Sequence, residues 1–144
     1  MKKGLQPSEH SEQHALVQWC KLMEPQIPEL GLLFAIPNGG FRHWKTAAYL
    51  KAEGVKAGIP DLFLAVASLE APRLTWDEIR QRPARPVDYY GLFIEMKRPG
   101  GAPPTKIQMA TMSRLRGQGY EVQVCYGFDE AKAVILRYLG WDVE

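Results

Sequence analysis

Two short apolar runs that each hold charged residues constrain this chain most. The first run covers residues 61–67 and the second covers residues 91–97, and both are β-rich and bounded by Gly or Pro. They predict neighbouring buried strands. Because strand side chains alternate between faces, Glu95 and Lys97 project from one face, and Asp61 joins them from the next strand. Charges in an apolar strand are costly to bury unless they are paired or hold a metal, so the pattern favours a metal site.

An alternative for Glu95 and Lys97 is a plain surface salt bridge worth about 0–1 kcal/mol. Ordinary composition often produces a Pro-Asp step or a Glu-x-Lys triplet in a chain of 144 residues. Their joint placement on two adjacent strands is what favours a site, and the layout is that of a metal-dependent phosphodiesterase.

Length and composition indicate one globular domain over residues 1–144. Hydrophobic residues make up 46% and charged residues 24%, an ordinary balance for a soluble protein. No apolar run approaches the roughly 20 residues of a membrane span, and no apolar stretch near the N-terminus suggests a signal peptide. We therefore expect a cytoplasmic protein without a membrane segment. Cys20 and Cys125 lie within apolar patterns, which predicts buried thiols rather than a disulfide.

The distribution of charge is more informative than the net charge of +2. Residues 97–116 contain five basic residues and no acidic one, and residues 40–56 contain four Lys or Arg against Glu53. Two basic stretches that flank the candidate site suit contacts with phosphates. Solvated helix faces are the alternative, and charge alone does not separate the two.

Periodicity and turn signals predict alternating helices and strands. The expected helices are Ser8 to Glu24 with Ser8 as the cap, Phe41 or Arg42 to Glu53, Lys106 to Gln118, and a last helix capped by Asp129 that runs through Leu139. The expected strands, besides the two apolar runs, are residues 32–36 and 120–126. Residues 68–88 form an insertion that is a loop or hairpin. The prediction is an α/β fold with a mixed central sheet of about four strands flanked by helices.

Two further polar residues fall on the inner faces of predicted helices. Glu12 lies near the centre of the apolar stripe of the first helix, whereas Glu9 lies toward its edge. A first-turn carboxylate that favours the helix dipole is the alternative for Glu12. Gln108 shares the inner face of its helix with Met112, although Thr105-x-x-Gln108 also fits a capping box.

One other metal pattern is present in the first helix. His10 and His14 have the i, i+4 spacing that can place two imidazoles on one ion. No third ligand lies nearby, which argues against a zinc site.

Taken in chain order, these motifs resemble the VRR-NUC family, the virus-type replication-repair nucleases of the PD-(D/E)xK superfamily. The motifs are Glu12, then Pro37-Asn38-Gly39-Gly40, then Gly54-x-x-x-Gly58-Ile59-Pro60-Asp61-Leu62, then Glu95-x-Lys97, then Gln108. The resemblance covers nearly the whole chain, although the insertion at 68–88 is longer and richer in proline than the family pattern.

The resemblance implies a restriction-endonuclease-like core that binds Mg²⁺ or Mn²⁺. Asp61, Glu95 and the main-chain carbonyl of Met96 would be metal ligands, and Glu12 would help through the metal shell. The same resemblance gives Lys97 the role of orienting the attacking water. Gln108 would position Lys97 or that water.

Stand-alone members of about this size resemble phage enzymes that act as homodimers on branched DNA. The expectation is therefore a structure-specific DNA endonuclease, above all a Holliday (four-way) junction resolvase, in the host cytoplasm if the protein comes from a phage. Expected contacts to DNA are Asn38, Gly39, Arg42, Lys45, Lys56, Arg98 and Lys106. Two alternatives stay open: a sequence-specific restriction-type endonuclease, and a non-catalytic DNA-binding or scaffold protein on the same fold.

Overall fold

A mixed sheet of four strands organises the protein. The computed structural model describes residues 6–37, 44–69 and 87–141. In spatial order the strands of the sheet are β1 (Leu33–Ala35), β2 (Leu62–Leu64), β5 (Leu92–Lys97) and β6 (Glu121–Tyr126). A separate pair joins β3 (Ser68–Leu69) to β4 (Val87–Tyr89), antiparallel, at the two ends of the expected insertion. Residues 70–86 between them lie outside the described residues.

The register of the sheet brings the two charged strand ends together. Strands β2 and β5 are antiparallel, with Leu62 opposite Ile94 and Leu64 opposite Leu92, while β5 and β6 are parallel. Because β2 and β5 run in opposite directions, Asp61, the residue before β2, lies beside the carboxyl end of β5. The predicted neighbouring strands are confirmed, with Glu95 inside β5 and Asp61 directly before β2 rather than within it.

Helices cover both faces of the sheet in the described ranges. They are α1 (Glu9–Met23), α2 (Trp44–Ala52), α3 (Lys106–Gly117) and α4 (Phe128–Tyr138), and a short 3₁₀ helix (Pro28–Leu32) precedes β1. Helix α1 begins at the predicted cap, since the Ser8 hydroxyl accepts a hydrogen bond from the backbone N–H of Ser11 over 3.1 Å. The predicted α/β architecture with a mixed four-stranded sheet is thus confirmed.

The main core lies between one face of the sheet and the helices α1 and α4. Its fully or almost fully buried side chains are Leu16 and Cys20 from α1, Ala131 and Ile135 from α4, and Leu62, Leu64, Leu92, Ile94 and Met96 from the strands. Burying one such Leu or Ile contributes roughly 1.5–3 kcal/mol. This core holds α1 in a fixed position across the end of the sheet where Asp61 lies.

The opposite face of the sheet is aromatic at one end and charged at the other. Phe93 stacks on Phe63 with 4.3 Å between ring centroids, and Tyr120 meets Phe93 edge-on at 5.2 Å. Along β5, Glu95 and Lys97 follow Phe93 on this same face because alternate strand residues share a face. Helix α3 contacts both charged side chains through Gln108. Strand β5 therefore places the side chains of Glu95 and Lys97 beneath α3.

The start of α4 differs from the sequence-based expectation. Asp129 was expected as the cap, but the helix begins at Phe128, and the N-cap residue is Gly127 with a φ of 103°. The N–H of Phe128 donates instead to the carboxylate of Glu12, which arrives from α1. A capping group that comes from another helix leaves no signal in the local sequence.

Both cysteines are free and buried, as predicted. Burial raises the pKa of Cys20 to about 11 and that of Cys125 to about 12, so both stay protonated at neutral pH. Among the helices in residues 6–37, 44–69 and 87–141, none combines the length and apolar character needed to cross a membrane.

Candidate active site

Asp61 is anchored to the neighbouring strand through its side chain. Its Oδ2 accepts a hydrogen bond of 2.8 Å from the backbone N–H of Met96, so the carboxylate lies against the backbone that joins Glu95 to Lys97. Asp61 is half-buried. The antiparallel register fixes this meeting point, because Asp61 directly precedes β2 and Met96 lies near the end of β5.

Glu95, Lys97 and Gln108 form a connected polar cluster next to Asp61. Nε2 of Gln108 donates to Oε1 of Glu95 over 2.8 Å, and Nζ of Lys97 donates to Oε1 of Gln108 over 3.2 Å. Nζ of Lys97 lies 3.7 Å from Oε1 of Glu95. Both charged residues are buried, with 3% of Glu95 and 8% of Lys97 exposed. The pair is therefore not a surface salt bridge, which excludes that alternative.

Burial changes the acidity of Glu95. The pKa of Glu95 is raised to about 7, mainly by the loss of solvation on burial, with the charges of Asp61 and Glu9 adding to the rise and Lys97 opposing it. Two neighbouring carboxylates in a poorly solvated place resist being charged together. Such a pair gains most from a bound cation, which offsets both charges at once.

Gln108 has both of the roles that the sequence allowed for it, since it caps α3 and also faces the charged pair. Its backbone N–H donates to Oγ1 of Thr105 over 3.2 Å and its Oε1 accepts from the N–H of Thr105 over 2.9 Å, which completes a capping box at the start of α3. The same side chain contacts Glu95 and Lys97. The cap thus fixes the rotamer that presents the amide to the charged pair.

An open cavity of about 480 Å³ lies on the other side of the Asp61 carboxylate. Its lining residues come from α1, from β1 and the residues after it, and from the two site strands: Glu9, His10, Gln13, Ala35, Ile36, Pro37, Asp61 and Met96. Glu95 and Lys97 are not among them. Asp61 and Met96 are the residues that connect this cavity to the buried cluster.

The first helix presents Glu9 to the cavity, and not Glu12. Oε2 of Glu12 accepts from the backbone N–H of Phe128 over 2.6 Å, and Glu12 does not line the cavity. The apolar stripe in the sequence of α1 includes Ala15, which is exposed, so that stripe does not by itself locate the buried side of the helix. Leu16, which is fully buried, follows Glu9 at i+7, nearly two full turns along the same face, and this spacing is the sequence feature that relates Glu9 to the buried side.

Four of the seven predicted DNA-contacting residues lie in the described part of the chain. Lys45, Lys56, Arg98 and Lys106 are all exposed. Arg98 directly follows β5, and Lys106 opens α3 two residues before Gln108. The other three, Asn38, Gly39 and Arg42, lie outside the described residues.

The donor set fits a hard divalent cation. Among the described residues, no three His, Cys, Asp or Glu side chains converge into a group that could hold a metal ion by itself. Mg²⁺ and Mn²⁺ need fewer protein ligands, since Mg²⁺ is commonly held by one or two carboxylates and several waters. Asp61 and Glu95 supply two carboxylates, and the carbonyl of Met96 between them is a further oxygen donor.

Comparisons with known proteins agree with this geometry. The sequence matches the family model of the VRR-NUC domain over residues 6–129. A solved structure described as a VRR_NUC domain protein is similar at 26% sequence identity with a TM-score of 0.69, over 94% of this chain and 90% of that one. No curated protein matches the sequence. The expected resemblance is therefore confirmed at the level of the domain.

Proposed function

The chain belongs to the VRR-NUC family, whose domain is a nuclease of the PD-(D/E)xK type acting on DNA, and we propose that it is a divalent-metal-dependent, structure-specific endonuclease. Its proposed substrates are branched DNAs, above all the four-way (Holliday) junction. One observation carries the proposal: Asp61 is hydrogen-bonded to Met96 N–H next to the buried Glu95, Lys97 and Gln108.

Asp61 and Glu95 are the proposed ligands for Mg²⁺ or Mn²⁺, together with the Met96 carbonyl. When bound, such an ion supplies positive charge to a phosphoryl oxygen and makes water more acidic. The raised pKa of Glu95, about 7, supports this assignment, because a carboxylate that resists ionisation alone is stabilised as an anion by a cation.

Lys97 is the proposed catalytic cation for the attacking water and the charge that develops on the phosphate. Its ammonium group is held by Oε1 of Gln108 over 3.2 Å. Gln108 is thus a positioning residue. Its amide holds Glu95 and Lys97 at once, and its own place is fixed by the cap at Thr105.

Glu9 receives the role that the sequence motif gave to Glu12. It lines the cavity beside Asp61, and its charge acts on Glu95. We assign Glu9 to the edge of the metal shell, where a carboxylate acts on the ion through water. Glu12 has a structural part, since its carboxylate holds the start of α4.

Branched DNA and a homodimer belong together in this proposal. A four-way junction has two equivalent strands to cut, and a two-fold dimer supplies two equivalent sites. The exposed basic residues Lys56, Arg98 and Lys106 flank the site in sequence and suit contacts to phosphates. Lys45 at the start of α2 extends the proposed DNA contact, and Asn38, Gly39 and Arg42, which lie outside the described residues, remain proposed contacts on the basis of the sequence.

The test compares a branched DNA substrate with a linear one of the same sequence. A synthetic four-way junction and a linear duplex of its longest arm pair are incubated with protein and Mg²⁺ or Mn²⁺. We expect paired cuts near the branch point, little cutting of the duplex, and loss of cutting in Asp61→Asn and Lys97→Ala. Equal cutting of both at a fixed sequence would identify a restriction-type enzyme, and an intact junction would contradict the proposal.

A metal titration separates an inactive scaffold from an enzyme. Calorimetry with Mn²⁺ on the wild type and on Asp61→Ala should give binding only for the wild type. Identical heats for the two proteins would remove Asp61 from the metal site and favour a non-catalytic protein on the same fold.

A further inference from the structure

The cavity beside Asp61 poses an electrostatic problem for a polyanionic substrate. Its charged lining residues are the acids Glu9 and Asp61. Lys97, the cation of the site, does not line the cavity and is held by Gln108 and Glu95. A DNA phosphate that lies in this space next to the one contacted by the proposed metal ion therefore needs hydrogen-bond donors from another wall.

Two side chains on the cavity wall carry N–H donors, His10 and Gln13. Both come from the first turns of α1, and they follow Glu9 at i+1 and i+4. At about 100° per residue, the three side chains occupy one arc of the helix no wider than about 100°. The wall thus places an acidic group and two donors side by side, with His10 at the edge farthest from Glu9.

His14 provides a natural comparison for His10. It lies one turn further along α1, its ring is 6.4 Å from that of His10 at an interplanar angle of 25°, and it is exposed like His10. It does not line the cavity. The two histidines therefore lie on the same helix, are both exposed and contact each other. They differ in that only His10 lines the cavity.

We propose that His10 is a phosphate-contacting residue: its imidazole N–H donates a hydrogen bond to a non-bridging oxygen of a DNA phosphate next to the one that is cut. A neutral imidazole already carries one N–H, so no change of protonation is needed. Contacts of this kind position a strand without reading its sequence. The inference rests on the proposed function, because it assumes that DNA enters this cavity.

The test removes one phosphate charge at a time. Branched oligonucleotides that carry a single methylphosphonate at successive positions lose one non-bridging oxygen, and their affinity is measured by fluorescence anisotropy in metal-free buffer. For the wild type we expect one position near the cleavage site where the substitution weakens binding roughly ten- to a hundredfold, as loss of one hydrogen bond to a charged group does. In His10→Ala the substitution at that position should have no further effect.

Two control variants distinguish the loss of the His10 N–H donor from the loss of the contact between the two rings. His14→Ala loses the same ring contact and should keep the wild-type pattern, while His10→Gln retains an N–H donor and should regain part of the sensitivity. The inference is overturned if His10→Ala keeps the wild-type pattern, if His14→Ala loses it equally, or if no position is sensitive in the wild type. Failure of the proposed function is a separate result, because it appears as absent cleavage of unmodified junctions by wild-type protein with metal.

Discussion

Oε2 of Glu12 accepts a hydrogen bond from the backbone N–H of Phe128 over 2.6 Å, across 116 residues of sequence. The carboxylate stands at the start of α4, where the first N–H groups of a helix lack partners within it and favour a negative charge. This bond joins the first helix of the protein to the last one. It also fixes the orientation in which α1 turns Glu9 toward the cavity.

Opposite effects are expected from the two acids of α1. Glu12→Ala should lower the free energy of unfolding by about 1–2 kcal/mol, because the N–H of Phe128 loses its acceptor. Glu9→Ala, at an exposed position, should change stability by less than about 0.5 kcal/mol and reduce DNA cleavage at least about tenfold. Urea unfolding and a junction-cleavage assay measure the two. The reverse result, with cleavage lost only in a fully stable Glu12→Ala, would return Glu12 to the catalytic site.

The stability of the metal-free protein should depend on the protonation of Glu95. Its pKa is raised to about 7 in the folded state from an ordinary value of 4.5, so above pH 4.5 the unfolded chain loses this proton first. Stability therefore falls as pH rises from about 5 to 7, by up to about 3 kcal/mol from this group. Thermal melts between pH 5 and pH 8 should show the fall in the wild type and a smaller one in Glu95→Gln.

Metal should reverse that trend. Because Mn²⁺ or Mg²⁺ binds the ionised carboxylate, its stabilising effect should grow as pH rises toward 8. Melts repeated with saturating Mn²⁺ measure this directly. A melting temperature that does not respond to Mn²⁺ at pH 8 would be evidence against a metal site at Glu95.

The capping role of Gln108 and its proposed positioning role can be separated by substitution. Thr105→Ala removes the hydroxyl that accepts from Gln108 N–H and should cost about 1 kcal/mol of stability, with cleavage largely kept. Gln108→Glu keeps an acceptor for Thr105 N–H and Lys97, yet it places a carboxylate within 2.8 Å of Glu95 Oε1. Like charges at that distance should reduce cleavage at pH 8 at least about tenfold. Equal cleavage by both variants would leave Gln108 with a capping role alone.

The loop before Asp61 offers a matched pair of glycines. Gly58 has a φ of +85°, and a Cβ there would lie 2.6 Å from Cγ2 of Ile107, whereas Gly54 has a φ of +100° and no atom within 4 Å of such a Cβ. Gly54→Ala should therefore cost only the backbone strain, about 1–2 kcal/mol. Gly58→Ala adds a clash worth about 1 kcal/mol or more and displaces Asp61, so cleavage should fall in this variant alone. Equal stability and activity of the two variants would show that contact with Ile107 does not position the loop.

The strand part of the site followed from the sequence because its causes are local. Alternation along β5 puts Glu95 and Lys97 on one face, and a charged pair in an apolar strand needs a partner. Antiparallel pairing of β2 with β5 then brings Asp61 to Met96. Each of these steps uses residues that are close in sequence or strands that pair directly.

The side of α1 that faces the candidate site could not be predicted from the sequence, because tertiary packing decides which side of that helix is buried. The apolar stripe of the sequence centres near Glu12, but the side chains that α4 and the sheet bury are Leu16 and Cys20. The buried side of α1 is therefore centred closer to the direction in which Glu9 projects than to the direction of Glu12. The same packing brings Glu12 to Phe128 and removes the capping role expected of Asp129, a contact that no local pattern encodes.

The antiparallel pairing of β2 with β5 has a consequence for engineering. Leu64, the last residue of β2, lies opposite Leu92, the first residue of β5, so the chain that joins them leaves and re-enters the sheet at the end away from Asp61. Six strand residues separate the two ends by about 17 Å. A reporter protein or affinity tag inserted in the chain that joins β2 to β5 is therefore expected to be attached at the end of the sheet opposite Asp61.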